Sequence, residues 1–208
     1  MEDPKVAGTV NDVLQEAAES EQMLTQFLNF ARPLSLEFAP VSLTEIIRRA
    51  GEIVRDDLAE RQVTLAVQTP AVDDNIEADS LLLRQVFVNL FQNAAEAIGK
   101  NGKIDVRLYQ PVRGADPGGY WLIRVGDSGP GIPGTDHEKI FQPFFTSKLT
   151  GTGLGLPLAR KIVLCHGGYL SVESSTPAGT VFLLRLPRQR LIAEEGPLVP
   201  AGRAESPI

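Results

Sequence analysis

The stretch GTGLGLPLARKIVLCHGG, Gly151 to Gly168, places glycines at 151, 153 and 155 directly before an apolar helical pattern that ends at Gly167. A loop of this kind at a helix start is where successive backbone N–H groups can hold phosphate. Leu154 and Leu156 are expected to pack inward and hold the loop, and His166-Gly167-Gly168 reads as a helix cap and turn. The common phosphate loop GxxxxGK[ST] is absent, and the dinucleotide fingerprint fits badly. A phosphate held here therefore needs further partners from elsewhere in the chain.

Working outward, two short strands are expected after this helix, near Tyr169–Glu173 and Thr180–Leu186. Before it, residues 133–152 are long, polar and irregular, with the aromatic group Phe141, Phe144 and Phe145. Tyr120–Val125 and Ile104–Leu108 alternate as strands, separated by the Pro/Gly-rich stretch 111–119, and Val63, Leu65 and Val67 alternate likewise. Helical spacing covers about Asp79 or Ser80 to Ile98 and about Leu43 to Ala59, the latter capped by Ser42 with Glu45 three residues on. Residues 9–31 form one amphipathic helix, about 35 Å long at 1.5 Å per residue. Its apolar stripe includes Val10, Val13, Leu24, Phe27 and Leu28, and it ends at Arg32-Pro33. Several strands follow one another without a crossover helix, so the fold class is α/β: a two-layer sandwich, a mixed, mostly antiparallel sheet packed on three helices and preceded by one long helix. Residues 33–42 are a linker and the best domain boundary, and residues 189–208, rich in Pro and Gly, read as a disordered tail.

Composition narrows the function. The 208 residues are 43% apolar and 22% charged, enough for a cored domain, and the net charge of −6 with no basic block argues against nucleic acid as a partner. A single cysteine, Cys165, excludes an internal disulfide; beside Val163 and Leu164 it is expected to be a small buried hydrophobe. No apolar run reaches 18 residues and no signal-peptide core opens the chain, so a cytoplasmic location is expected.

Three further motifs carry candidate chemistry. Gln85, Asn89 and Asn93 recur every four residues on one helix face, although asparagine is a poor residue for mid-helix. They form either a surface stripe or buried polar network, or an amide oxygen at Asn93 directed at Mg²⁺ beside nucleotide phosphates, with Asn89 one turn below. Glu96, on a neighbouring face, reads as a helix-surface charge. In VGDSGPGIP, Val125 to Pro133, Asp127 ends an apolar strand and is followed by glycines 129 and 131. It either closes an Asx-type turn or accepts a hydrogen bond from an exocyclic amine while the glycines admit a flat ring. KIFQPFFTSK, Lys139 to Lys148, is either a loop pinned by its phenylalanines or a hinged lid that presents Lys148 to phosphate. His166 and His137 are expected to be structural or silent.

Taken in order, NLFQNAAEA, DSGPGIP, FQPFFTSK and GTGLGL resemble the four nucleotide-binding boxes of a sensor histidine kinase, in the ATP-binding fold shared with gyrase B and mismatch-repair ATPases. HGGYLSVES and AGTVFLLRLP resemble the end of that domain, and QFLNFARP resembles the exit from the dimerisation hairpin of nitrogen-regulation-type kinases. The resemblance spans about residues 10–188. It implies an ATP-binding domain over 43–188 and the second helix of a dimerisation hairpin within 1–32. It further implies ATP and Mg²⁺ as cofactors, with Asn93 on the metal and Asn89 near the phosphates. Asp127 would take the adenine amino group, Gly129 and Gly131 would shape the base pocket, and Thr180 would join Asp127 around an adenine-bound water. Thr152, Gly153, Leu154, Gly155 and Leu156 would embrace the phosphates, and Lys148 would reach the terminal one.

The departure is as informative. The family's phosphoacceptor histidine, followed by an acidic residue on the first hairpin helix, has no counterpart, since His137 and His166 both lie inside the ATP-binding region. The resemblance thus implies a phosphoryl donor whose acceptor hairpin comes in cis from a longer parent chain or in trans from another molecule. A segment of a longer kinase, one that could be membrane-attached, is expected over a natural stand-alone regulator that binds ATP or a response regulator. Other expected partners are a response regulator and, through the stripe of residues 9–31, a second copy in a homodimer. Gyrase-type ATPases carry a water-activating glutamate where this chain has Asn89, so rapid hydrolysis is not expected; a serine kinase of the anti-sigma type shares the fold but fits FQPFFTSK less well.

Overall fold

The structure, a computed structural model, describes residues 21, 24, 25, 27, 28, 30–112, 119–148 and 151–189. Strands β2 (Val63–Gln68), β4 (Gly102–Val112), β5 (Tyr120–Asp127), β6 (Tyr169–Thr176) and β7 (Gly179–Pro187) form one sheet in the order β2-β4-β5-β7-β6. Only β2 and β4 pair in parallel; the other neighbours are antiparallel. The parallel pair requires a crossover, supplied by α3 (Ser80–Ile98). The mixed, mostly antiparallel sheet expected from the sequence is therefore observed, packed against helices.

The helical layer consists of α1 (Leu43–Ile53), α3 and α4 (Gly155–Cys165), with both α1 and α4 packed on α3. The helix expected over 43–59 is instead two: Val54 leaves helical geometry at ψ 1°, and the short α2 (Arg55–Glu60) continues beyond it. Caps fix the starts of α1 and α3, the first of them the Ser42 cap expected from the sequence. Ser42 Oγ accepts the Glu45 N–H at 3.2 Å, and Asp79 Oδ1 accepts the N–H groups of Leu81 and Leu82, each at 3.0 Å. Within the expected linker, Ala39–Ser42 (β1) pairs antiparallel with Asn75–Ala78 (β3), a small ladder that the sequence pattern does not announce.

Helix α3 turns Val86, Phe87, Leu90, Phe91, Ala94 and Ala95 into the core, where the inward faces of β4, β5 and β7 present Ile104, Val106, Trp121, Ile123, Phe182 and Leu184. Each large apolar side chain buried here contributes roughly 1.5–3 kcal/mol. The amides at 85, 89 and 93 are thereby held on the opposite rim, away from the sheet. In α4 the buried stripe is Pro157, Ala159, Ile162 and Val163, so Cys165 faces solvent and His166 is buried. The expectation of a buried cysteine is corrected: helical spacing from Ile162 reaches residue 166, not 165.

Of the helix expected over 9–31, the described residues Glu21, Leu24, Thr25, Phe27, Leu28, Phe30 and Ala31 are helical; residues 9–20 lie outside the described residues, as do 190–208 of the expected tail. Lys161 of α4 donates to the terminal carbonyls of Phe30 and Arg32, at 2.5 and 3.0 Å. A cation at a helix C-terminus is favoured by the dipole. Leu24 and Leu28 remain exposed, while Phe27 stacks on Phe144 with ring centroids 5.8 Å apart.

Candidate functional site

The rim of α3, the end of β5 and the two glycine turns enclose a cleft of about 1450 Å³. Of the candidate nucleotide-binding residues, all but Gly129 line it: Asn89, Asn93, Asp127, Gly131, Lys148, Thr152, Gly153, Leu154, Gly155, Leu156 and Thr180 are at its wall. The volume exceeds the roughly 300–1,000 Å³ of a drug-sized site, which leaves room for a ligand with several charged groups.

Asp127 forms the inner end. Its Oδ1 accepts the Gly129 N–H at 2.8 Å and the Thr180 N–H at 3.4 Å, which leaves Oδ2 without a donor among the described residues. Burial raises the Asp127 carboxyl above its ordinary range, and the two backbone donors only partly oppose this. A half-desolvated carboxylate with a spare oxygen is a ready acceptor for an amine. The Asx turn and the acceptor, alternatives at the level of sequence, therefore coexist on different oxygens. Gly129 stands behind the carboxylate, where a Cβ would meet Oδ1 at 2.9 Å.

The hairpin partner of Thr180 is Ser175, which sequence reading overlooked. Its Oγ lies 3.1 Å from Thr180 Oγ1 and accepts the Ile132 N–H at 2.6 Å, so it ties the loop after Asp127 to the far hairpin. Gly131, at φ +81°, allows that closeness: a Cβ would lie 2.1 Å from Thr176 O. His137 is half-buried rather than exposed, with Nε2 3.1 Å from Ile132 O. His166 is structural. Its Nε2 accepts the Asp79 N–H at 3.0 Å while Nδ1 lies 2.8 Å from Ile162 O, and burial holds its pKa below the ordinary value.

At the outer end an amide relay runs along α3. Gln85 Nε2 donates to Asn89 Oδ1 at 2.8 Å, and Asn89 Nδ2 donates to Gly155 O at 3.0 Å, pinning the start of α4. Asn93 Oδ1 accepts from Lys148 Nζ at 3.1 Å, so this oxygen already faces a cation. Glu96 is not a bare surface charge: its Oε2 lies 2.5 Å from the same ammonium. Fifty-two residues separate Glu96 from Lys148, and no local pattern signals the pair. Among the described residues no cluster of three or more His, Cys, Asp or Glu could hold a metal ion, so a hard cation here would depend on Asn93, nearby carboxylate and the ligand's own oxygens.

The segment between the glycine turns has one buried aromatic anchor. Phe141 is buried edge-on against Phe182, at 6.4 Å, and Arg160 covers its other side at 4.6 Å. Phe144 is exposed and Phe145 half-buried, so the three phenylalanines do not form one knot. Phe144 sits at φ +67° with its N–H donated to Gly153 O at 3.1 Å, which binds this segment to the second glycine turn. Gly153, at φ +65°, has no room for a side chain there. Beyond it Leu154 is buried and Leu156 packs on the core, as expected.

The chain is similar to known proteins. Residues 78–190 match the family described as histidine kinase-, DNA gyrase B-, and HSP90-like ATPase. Sensor histidine kinase ZraS of Klebsiella oxytoca is 35% identical over 173 residues, 83% of this chain and 36% of its own length. Sensory histidine kinase/phosphatase NtrB of Rhodobacter capsulatus is 33% identical over 193 residues, 89% of this chain and 53% of its own length. The nucleotide-free catalytic domain of histidine kinase ThkA superposes with a TM-score of 0.65 at 36% identity, covering 74% of this chain and 97% of that one. The complex of ThkA with response regulator protein TrrA gives 0.72 at 32% identity, covering 90% and 53%. The chain spans about a third of the ZraS length.

Proposed function

The chain belongs to the histidine kinase-, DNA gyrase B- and HSP90-like ATPase family, and from that premise we propose that it is the ATP- and Mg²⁺-binding phosphoryl-donor domain of a sensor histidine kinase. The observation that carries the reading is the convergence of Asp127, Asn93, Lys148 and the Gly153 turn on one cleft, from four separate segments. The residues fit the ligand chemically. Asp127 Oδ2 would accept the adenine amino group, and Gly131 lets the base approach the backbone. The start of α4 directs backbone N–H groups toward phosphate. Asn93 Oδ1, already directed at an ammonium, would hold Mg²⁺. When bound, the metal neutralises phosphate charge and orients the terminal group.

Lys148 would stabilise charge that develops on the phosphoryl oxygens during transfer, and the lid would exclude water from them. The general base common to fast ATPases is not supplied by Asn89, whose amide is committed to Gly155 O. Transfer to an imidazole outside this domain is therefore favoured over hydrolysis. Neither histidine suits the role of acceptor: His166 is buried with both ring nitrogens engaged, and His137 is tied to Ile132. The acceptor would be a hairpin histidine in cis or in trans, and a response regulator the onward partner. Among the described residues no helix is long and apolar enough to cross a membrane. On this reading the domain works in the cytoplasm, and a longer parent can be membrane-attached.

Calorimetric titration with a non-hydrolysable ATP analogue, with and without Mg²⁺, tests the proposal. Binding strengthened by Mg²⁺ is expected. Asp127→Asn turns an acceptor toward donor chemistry and loses a charge-assisted bond of about 1.5–3 kcal/mol, hence roughly 10- to 100-fold in affinity. A folded wild-type chain that takes no analogue would refute it.

A further inference from the structure

Lys148 is held between an amide oxygen and a carboxylate, Asn93 Oδ1 at 3.1 Å and Glu96 Oε2 at 2.5 Å. Three residues apart on α3, within one helical turn, these two groups can share a single cation, and the cation they share belongs to the lid. The same Asn93 oxygen is the one assigned to the metal above. An ammonium and a divalent cation cannot both occupy it at short range, because like charges there repel in a partly shielded site.

Resting on the nucleotide-binding reading, we propose that Glu96 is a positioning residue: it parks the Lys148 ammonium on the metal's oxygen while the cleft holds no nucleotide, and so latches the lid to α3. Three observations support the latch. Arg61, a second cation that interacts with Glu96, is tied to Asp57 at 2.8 Å. Lys148 is further held through its own N–H, donated to Thr146 Oγ1 at 3.1 Å. The rest of the lid closes on the second glycine turn through Phe144. Arrival of Mg²⁺ at Asn93 expels the ammonium, which then becomes available to phosphate. Metal and nucleotide are thereby coupled through a side chain that neither needs to touch first. Glu96 thus withholds Lys148 from a metal-free nucleotide.

The test uses Glu96→Gln, since removing Lys148 would also remove the phosphate contact. Two readouts are compared in wild type, Glu96→Gln and Glu96→Asp. One is hydrogen exchange at the Phe144, Phe145 and Lys148 amides without nucleotide or metal; the other is affinity for the non-hydrolysable ATP analogue in EDTA and in Mg²⁺. An exposed ion pair of this kind corresponds to roughly two- to five-fold effects. Glu96→Gln is expected to exchange those amides about two- to five-fold faster and to bind the analogue about two- to five-fold more tightly in EDTA, so that the gain from Mg²⁺ shrinks; Glu96→Asp falls between. Unchanged exchange, or metal-free affinity no better than wild type, overturns the latch. Should the wild-type chain bind no analogue under either condition, the functional reading fails, and the exchange arm alone decides whether Glu96 holds the lid.

Discussion

Replacing Gly153 by alanine sets the second glycine turn against the lid. At φ +65° an alanine incurs roughly 1–2 kcal/mol of backbone strain. Its Cβ would also lie 2.6 Å from Phe144 C and 2.8 Å from Phe145 O, both backbone atoms with no side-chain freedom to yield. Relief requires the lid to move away, which breaks the Phe144 N–H bond to Gly153 O and forfeits about 0.5–1.5 kcal/mol more. The sum is about 1.5–3.5 kcal/mol, all of it in the lid and turn. At 1.4 kcal/mol per tenfold, affinity for the ATP analogue should fall roughly 10- to 300-fold. Thermal stability should fall by less than this sum, because the lid can move off the turn in the free chain while the core strands and α3 are untouched. Gly134→Ala is the control: a Cβ there would meet nothing within 4 Å, and Gly134 does not line the cleft. Calorimetric affinities and melting midpoints of the two variants decide the matter. Equal affinities for both variants, or a Gly153→Ala chain that binds like wild type, would refute the reasoning.

Stability should also depend on His166. Burial, the largest influence, depresses its folded pKa against the raising effects of the Ile162 carbonyl and Asp79. The unfolded chain therefore binds the proton first, and the stability this neutral imidazole contributes is complete above its ordinary value of 6.5 and lost as pH falls below it. Urea midpoints between pH 7.5 and 5 should fall in wild type and flatten in His166→Gln; parallel profiles would show that another group is responsible. Phe87→Ala, at a fully buried position of α3, should cost about 3–5 kcal/mol in urea unfolding, and a loss below 1 kcal/mol would mean that the α3–sheet contact is looser than described.

How far the sequence foretold this arrangement depended on the length of each signal. The five strands of the main sheet alternate over five or more residues, and α3 carries both a cap and a long apolar stripe, so their places were legible. The β1–β3 ladder has four residues per strand and a proline in one, too short for a period to show. The break at Val54 preserves the Ala50 carbonyl bond and leaves the apolar spacing intact, which is why one helix was expected where two stand. Cys165 and His166 exchanged roles because a polar ring reached two backbone partners at the buried position. In the cleft, the residues carried by compact motifs were found, including those whose meaning came from resemblance. Ser175 and Glu96 were not, since each acts through a partner brought near by topology alone.

The two free edges of the main sheet differ in how they would behave in a crowded solution. At one edge β6 is interrupted by a register shift between Val172 and Ser174, with the charged Glu173 at the irregularity. Such a kink and charge discourage another strand from adding on. At the other edge β2 runs without interruption along β4, with Val67 exposed and no Lys or Arg between Val63 and Gln68. A partly opened molecule would therefore recruit a second copy at β2, and a lysine at Thr64 or Ala66 is the substitution that would improve shelf life without touching the cleft.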